Sequence, residues 1–464
     1  MKNLPKEVDL GKDPVGRLLF TLAAPAITSQ VVNALYNVVD RMYIGHIPGE
    51  GAAALTGLGV CFPLIMLISA FANLIGMGGA PRASIMMGHG DEKAAERILG
   101  NCFATLVALA VALTAFSFAF MRPMLMLFGA SEATIGYAVD YMEIYAAGTI
   151  FVQLTLGMNV FITAQGFSKI SMMTVVIGAV TNIVLDPVFI FVLGMGVRGA
   201  AWATVISQAV SAVWALRFLC GGRTVLKLRR ENMHISRSVI MPCVALGLAP
   251  FIMQSTESLL VLSFNSSLLK YGGDLAVGAM TIASSVMQFA MLPVHGLTQG
   301  SQPIVSYNYG AGNPERMKRA FALLLKSCLA YTAALWALSM LCPGLFVMIF
   351  TGDPELSAAA RWAMRIYMAS VVLMGAQTAC QQTFVALGNS KTSSFLAFLR
   401  KIILLIPFIY IMPHFFDDKV FAVFFAEPVA DFLAVTATVT LFSREFRRLL
   451  RSMRERRAGQ SAGA

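Results

Sequence analysis

Acidic and amide side chains set inside long apolar runs are the residues of this sequence whose types and spacing could do chemistry. Asn33, Tyr36, Asn37 and Asp40 lie three and four positions apart, which on a helix places them along one face. A face with two amides, a phenol and a carboxyl cannot be turned to lipid. Asn182 and Asp186, four apart, share a helix face in the same way, and Pro187 beside them removes a backbone donor and loosens a carbonyl one turn earlier. Thr204 contributes a hydroxyl and Tyr141 a phenol. Two carboxylates in such company can ligate Na⁺ through oxygen, or can share one proton.

A second acidic set lies in the other half of the chain: Glu257, and Glu427 with Asp431 one turn further on. These carboxyls suit a cationic ligand or a second ion. Met253, Met287 and Met291, with Gln288, are placed on helices expected to face the same cavity, where flexible, polarizable side chains accept apolar groups of varied shape. Asp140 and Glu143 are read as interfacial. Bond-making chemistry finds no foothold. The histidines at 46, 89, 234, 295 and 414 have no metal-ligand spacing, the seven cysteines form no CxxC, and there is neither a Walker lysine nor a GxSxG serine. Gly194, Gly196 and Gly199 fit GxGxxG, but no strand precedes them. The chain is therefore read as a non-enzyme without cofactor.

The elements that must position these residues are membrane-spanning helices. Of 464 residues, 57% are hydrophobic and only 13% charged, and the mean hydropathy is +0.72. Apolar runs of about 20 residues, enough to cross about 30 Å of hydrocarbon, recur throughout. Twelve spans are expected: 17 to 44, 52 to 80, 98 to 121, 133 to 163, 171 to 193 and 198 to 220, then 238 to 267, 276 to 303, 320 to 342, 357 to 386, 394 to 413 and 420 to 441. Counted from the outer span ends at about 1.5 Å per residue, Asp40 lies about 6 Å deep, Asp186 about 10 Å, Thr204 about 9 Å and Tyr141 about 12 Å. Four helices thus bring oxygen ligands to nearly one level in the outer half of the membrane.

Lys and Arg concentrate in the loops of one side, from Lys2, Lys93 and Lys169 to the arginines between Arg444 and Arg457, which puts both termini in the cytoplasm. That bias, resting on anionic lipid, accounts for the net charge of +11 without nucleic acid. The halves also repeat. Pro81, Ser84, Gly88, Gly90 and Arg97 recur as Pro303, Ser306, Gly310, Gly312 and Arg319, and Ala164, Gly166, Ser168, Lys169 and Ser171 recur as Ala386, Gly388, Ser390, Lys391 and Ser393, all at an offset of 222. Six spans per half make the repeat parallel, with a pseudo-twofold axis along the membrane normal. The expected architecture is an all-α membrane protein of two six-helix lobes around a central cavity. Residues 1–220 form the amino-terminal lobe, 221–237 a cytoplasmic linker, 238–441 the carboxy-terminal lobe and 442–464 a basic tail, and the chain is read as a monomer.

The run Tyr36, Asn37, Val38, Val39, Asp40, Arg41, Met42, Tyr43, Ile44, Gly45 resembles the first-helix signature of the multidrug and toxic compound extrusion (MATE) transporters, nearest their bacterial MepA-like branch. With Pro25, the paired Gly-rich loops and the Asn182 to Asp186 element, the resemblance covers essentially the whole chain. It implies a multi-pass protein of the bacterial inner membrane that exports cationic, amphiphilic drugs in exchange for H⁺ or Na⁺. By the same resemblance Asp40, Asn182, Asp186 and Thr204 form the cation site of the first lobe, with Tyr36 and Tyr141 beside it. Pro25 is the bending proline of the first helix, and Glu257 matches the sodium-site glutamate of the vibrio-type branch. That branch also uses an aspartate in the tenth span, where this chain has Gln377, Gln381 and Gln382, so coupling is expected at Asp40 and Asp186. A lipid or polysaccharide flippase is the alternative of like architecture. Large anionic head groups would call for basic residues facing the cavity, and the charges placed there are acidic.

Overall fold

The computed structural model describes residues 8–462, and among them the chain is helical without a strand. The first half comprises α1 (Val15–Gly45), α2 (Gly51–Gly88), α3 (Glu92–Leu127), α4 (Ile135–Ala147), α5 (Thr149–Ala164), α6 (Ser168–Pro187) and α7 (Gly196–Cys220). The second comprises α8 (Arg237–Ser255), α9 (Glu257–Gly310), α10 (Pro314–Leu341), the short α11 (Pro343–Val347), α12 (Pro354–Tyr367), α13 (Val371–Ala386), α14 (Ser390–Phe398), α15 (Ile406–Ile411) and α16 (Lys419–Ala462). Among the described residues, nine stretches are each long and apolar enough to cross a membrane, and α4 with α5, bent by 58° at their junction, makes a tenth.

One of the nine, Arg237–Gly310, has 74 residues, about 110 Å of helix at about 1.5 Å per residue, far more than one crossing of about 30 Å. It is interrupted at Gly273, whose φ of 63° only glycine adopts readily, and so supplies two spans. α12 and α13, each short, meet at Ser370 as α4 and α5 meet at Gly148, 222 positions earlier, and complete the twelve. The helix of the last span continues into the basic tail, because α16 runs unbroken to Ala462.

The repeat is visible at the level of single hydrogen bonds. Ser84 Oγ donates to Ala164 O at 2.9 Å and Ser306 Oγ to Ala386 O at 2.7 Å. Asn159 Nδ2 donates to Ser171 O, and Gln381 Nε2, 222 positions on, to Ser393 O. Left-handed glycines close the helices at equivalent places, Gly90 with Gly312 and Gly166 with Gly388. The two halves also meet reciprocally: a Cβ on Gly88 would collide with Tyr307 O, and one on Gly310 with Ile85 O, each pair being the other shifted by 222. A pseudo-twofold axis therefore passes between α2 and α9 at the end that carries the basic loops.

Further close backbone approaches lie in the same half of the molecule. Gly78 and Gly247 bring α2 against α8, and Gly296 and Gly300 bring α9 against α1 at Ile27 and Ala23. The packing there also crosses the expected lobe boundary. Leu18, Leu19 and Leu22 at the start of α1 share a core with Ile304, Phe384 and Phe446 of the second half, while Ile240 and Cys243 at the start of α8 share one with Leu99, Phe161 and Leu219 of the first. The linker at 221–237 divides the sequence, but each lobe borrows the first turns of the other's leading helix.

Candidate functional site

Asp40 on α1 and Asp186 on α6 are brought face to face, 8% and 0% exposed. The first helix reaches α6 because its basic-end half is anchored on α9 at the glycine seam, which leaves the half bearing Asp40 to pack within its own lobe. Asn182, fully buried, donates through Nδ2 to Asp186 Oδ1 at 3.3 Å and to Thr204 Oγ1 of α7 at 3.5 Å. Tyr141 of α4, 3% exposed, stands against Thr204, and Tyr36 lies beside Asp40. The expected constellation of Tyr36, Asp40, Tyr141, Asn182, Asp186 and Thr204 is thus assembled in one place. Arg41 forms no ion pair with either acid among the described residues, and its guanidinium lies 5.3 Å from the centre of the Phe62 ring. Asp140 is surface-lying as expected, 3.3 Å from Arg198.

Three oxygens of this group, Asp40 Oδ1, Asn182 Oδ1 and Asp186 Oδ2, are buried with no hydrogen-bond partner among the described residues. Two carboxyls pressed together with an unpartnered oxygen on each and no ion pair to a fixed cation repel unless a proton or a positive ion lies between them. Carboxylate and amide oxygens are also the donor set that a hard cation prefers. Tyr145, which the sequence reading did not single out, stacks on Tyr141 with centroids 6.1 Å apart and closes one wall.

The equivalent helices of the second lobe hold a different arrangement. Arg400, 6% exposed in its side chain, donates from Nε to Asp431 Oδ1 at 2.8 Å and from Nη2 to Glu427 Oε1 at 3.2 Å. Ser370 Oγ donates to the other Asp431 oxygen at 2.9 Å. Lys401 Nζ lies 2.9 Å from Glu257 Oε2, and the Glu257 side chain is 48% exposed. The expectation that the charges here are acidic alone is corrected: Arg400 and Lys401 sit in a π-helical stretch, Leu399–Leu405, inside the eleventh span. The rule that flagged the acids, a charge inside an apolar run, flags this pair as well. Three acids against two bases still leave the cluster net negative.

The remaining cavity candidates divide. Met253 and Met287 are half-buried and Gln288 is exposed, but Met291 is 5% exposed and packed in the apolar core of the second lobe, so it is no wall of a cavity. Pro25 is buried in α1, and Ser29 Oγ takes up its carbonyl at 3.0 Å. No group of three or more His, Cys, Asp or Glu side chains that could hold a metal ion occurs among the described residues.

Comparison with known proteins agrees with this fold. The MatE family model matches twice, over residues 25–188 and 250–411, one match per half. The multidrug export protein MepA of Staphylococcus haemolyticus is 23% identical over 430 residues, 92% of this chain and 94% of its own length. MepA of Staphylococcus aureus strain NCTC 8325 / PS 47 is 23% identical over 405 residues, 87% of this chain and 89% of its own. Among solved structures, an outward-facing multidrug resistance MATE family transporter of the MOP superfamily superposes with a TM-score of 0.90 at 23% identity, covering 97% of this chain and 99% of that one. A MOP superfamily transporter from Pyrococcus furiosus, described as having a binding pocket of reverse polarity, gives 0.89 at the same identity and coverage.

Proposed function

This chain belongs to the MATE family of transporters, and from that premise we propose that it exports cationic, amphiphilic drugs across a bacterial inner membrane in exchange for H⁺ or Na⁺ bound between Asp40 and Asp186. The observation that carries the reading is the contact of those two buried carboxyls, with Asp40 Oδ1 and Asp186 Oδ2 lacking any donor. A proton or sodium ion entering there neutralises their repulsion and draws the outer half of α1 onto α6. Release of the ion lets the helix swing away. Pro25, which cannot close the backbone hydrogen bond of its turn, lies between Ala23 and Ile27, where α1 rests on Gly300 and Gly296. Bending at Pro25 therefore changes the seam between the lobes, and that links ion occupancy to which side the drug site faces.

The basic loops and tail support a cytoplasmic location for both ends of the chain. The lobes then meet at the cytoplasmic end, and the cleft between them opens outward. Glu257, half exposed, is the carboxyl best placed to meet a cationic drug. A flippase reading is not favoured, since Arg400 and Lys401 are each neutralised by acids within 3.2 Å. The test is ethidium export from proteoliposomes under an imposed pH gradient or an imposed sodium gradient. One gradient should drive export by the native chain and neither by Asp40→Asn; export by Asp40→Asn at the native rate overturns the proposal.

A further inference from the structure

The second lobe carries a groove that its counterpart does not. It lies between α10, α13 and the tail end of α16, with a volume of about 860 Å³, in the range of pockets that hold sizeable apolar ligands. Its floor is apolar: Phe321, Phe442 and Phe446 stack with centroids 4.5 to 5.2 Å apart, and Leu329 closes the deep end. Its mouth is basic, with Lys318, Arg447, Arg451 and Arg454 against one acid, Glu455. Arg454 is engaged by Glu315 and Arg451 by Glu455, but Lys318 and Arg447 are exposed and form no ion pair among the described residues.

The same surface of the first lobe is covered by the chain itself. Counting back 222 positions, Lys318, Ala322 and Cys380 correspond to Glu96, Gly100 and Met158. There the linker folds over: Leu226 and Leu228 pack with Leu99 and Met158, Asn232 lies on Gly100, and Glu96 accepts hydrogen bonds from Lys227 N at 3.1 Å and Arg229 Nε at 2.8 Å. The plug is thus an apolar pair of side chains flanked by a charge match at the rim. In the second lobe α16 runs straight on and supplies no such plug, while the rim changes sign from the acid of Glu96 to the base of Lys318.

We propose that this groove binds one anionic phospholipid of the cytoplasmic leaflet, its phosphate between Lys318 and Arg447 and an acyl chain along the phenylalanines. Length supports this occupant. From Lys318 to Leu329 is about 16 Å of helix, close to the half-thickness of a hydrocarbon core of about 30 Å. Charge supports it too, because a basic pocket at this level complements an anionic head group and not a zwitterionic one.

Native mass spectrometry of the full chain released from nanodiscs of mixed phosphatidylcholine and phosphatidylglycerol tests it. The native chain should retain one phosphatidylglycerol. Lys318→Gln/Arg447→Gln should bind it roughly 30-fold more weakly, as expected for two lost surface charges, while the charge-matched Arg448→Gln/Arg456→Gln outside the groove should retain it. Both changed pairs are exposed, and unchanged melting temperatures confirm folded protein. Equal loss in the two double variants would mean diffuse attraction, equal retention of phosphatidylcholine would mean unselective filling by acyl chains, and retention of no lipid would mean an occupant of other kind; each overturns the proposal. Ethidium export is a separate readout, so its failure and the failure of lipid retention are distinguishable.

Discussion

Helices that are equivalent by the internal repeat have solved one electrostatic problem in two ways. In the first lobe the first, fourth, fifth and sixth spans bury Asp40 and Asp186 against each other with no fixed positive charge between them. In the second, the seventh, tenth, eleventh and twelfth spans bury Glu427 and Asp431 with Arg400, and set Lys401 on Glu257. A covalently tethered cation cannot be exchanged, whereas a diffusible one can. Under the proposed mechanism, the first lobe is the one that responds to an ion gradient, while the second holds its charge distribution constant.

The comparison breaks most visibly at the first lobe's acids. Asp40→Asn or Asp186→Asn should reduce gradient-driven ethidium export to vesicle leak, while the melting temperature in detergent stays level or rises, since a repulsion has been removed. A marked loss of stability instead would mean that the pair is structural. Asp431→Asn in the second lobe should do the opposite and cost about 1.5 to 3 kcal/mol of stability by removing one charge-assisted bond to Arg400, which keeps Glu427. Replacing Arg400, Glu427 and Asp431 together by apolar residues should recover much of that, and failure to recover would mean that the network contributes more than mutual neutralisation.

The seam between the lobes should not distinguish them. Gly300→Val and Gly78→Val, equivalent by the repeat, should each lower stability by about 1 to 3 kcal/mol, because each new Cβ meets backbone. A large effect in only one would contradict the pseudo-twofold arrangement. The smallest change is expected from Lys401→Gln. The pair it breaks joins a largely buried Lys401 to a half-exposed Glu257, so stability should move by about 1 kcal/mol. Glu257 is then free, and ethidium should bind a few-fold more tightly in equilibrium titrations. Weaker binding would place Glu257 outside the drug's reach.

Much of this was legible in the residues themselves. The offset of 222 that aligned Ser84 with Ser306 also aligns their hydrogen bonds, because serines that close a backbone carbonyl at a helix crossing are fixed by geometry and not by hydrophobicity. Asp40, Asn182 and Asp186 were legible because a polar group in an apolar run needs a partner. Arg400 and Lys401, inside a span of Leu, Ile and Phe, carry the same signal. Other features have no local signal. Hydropathy measures how apolar a helix is and not which side it turns to its own core, so it does not show that Met291 packs inside the apolar core of the second lobe. The exchange of leading turns between lobes is a long-range packing choice, and neither the composition of α1 nor that of α8 announces it.

The unbroken run of α16 reaches beyond transport itself. Its 44 residues make a rod of about 66 Å, some twice the depth of the hydrocarbon it crosses. A fluorophore attached near Ser452 is therefore carried stiffly by the twelfth span instead of wandering on a tether. Energy transfer from it to a label on the α2–α3 turn at Gly90 would report the tilt of one half of the protein against the other in real time, with the rod acting as a lever that magnifies small angles into measurable distances.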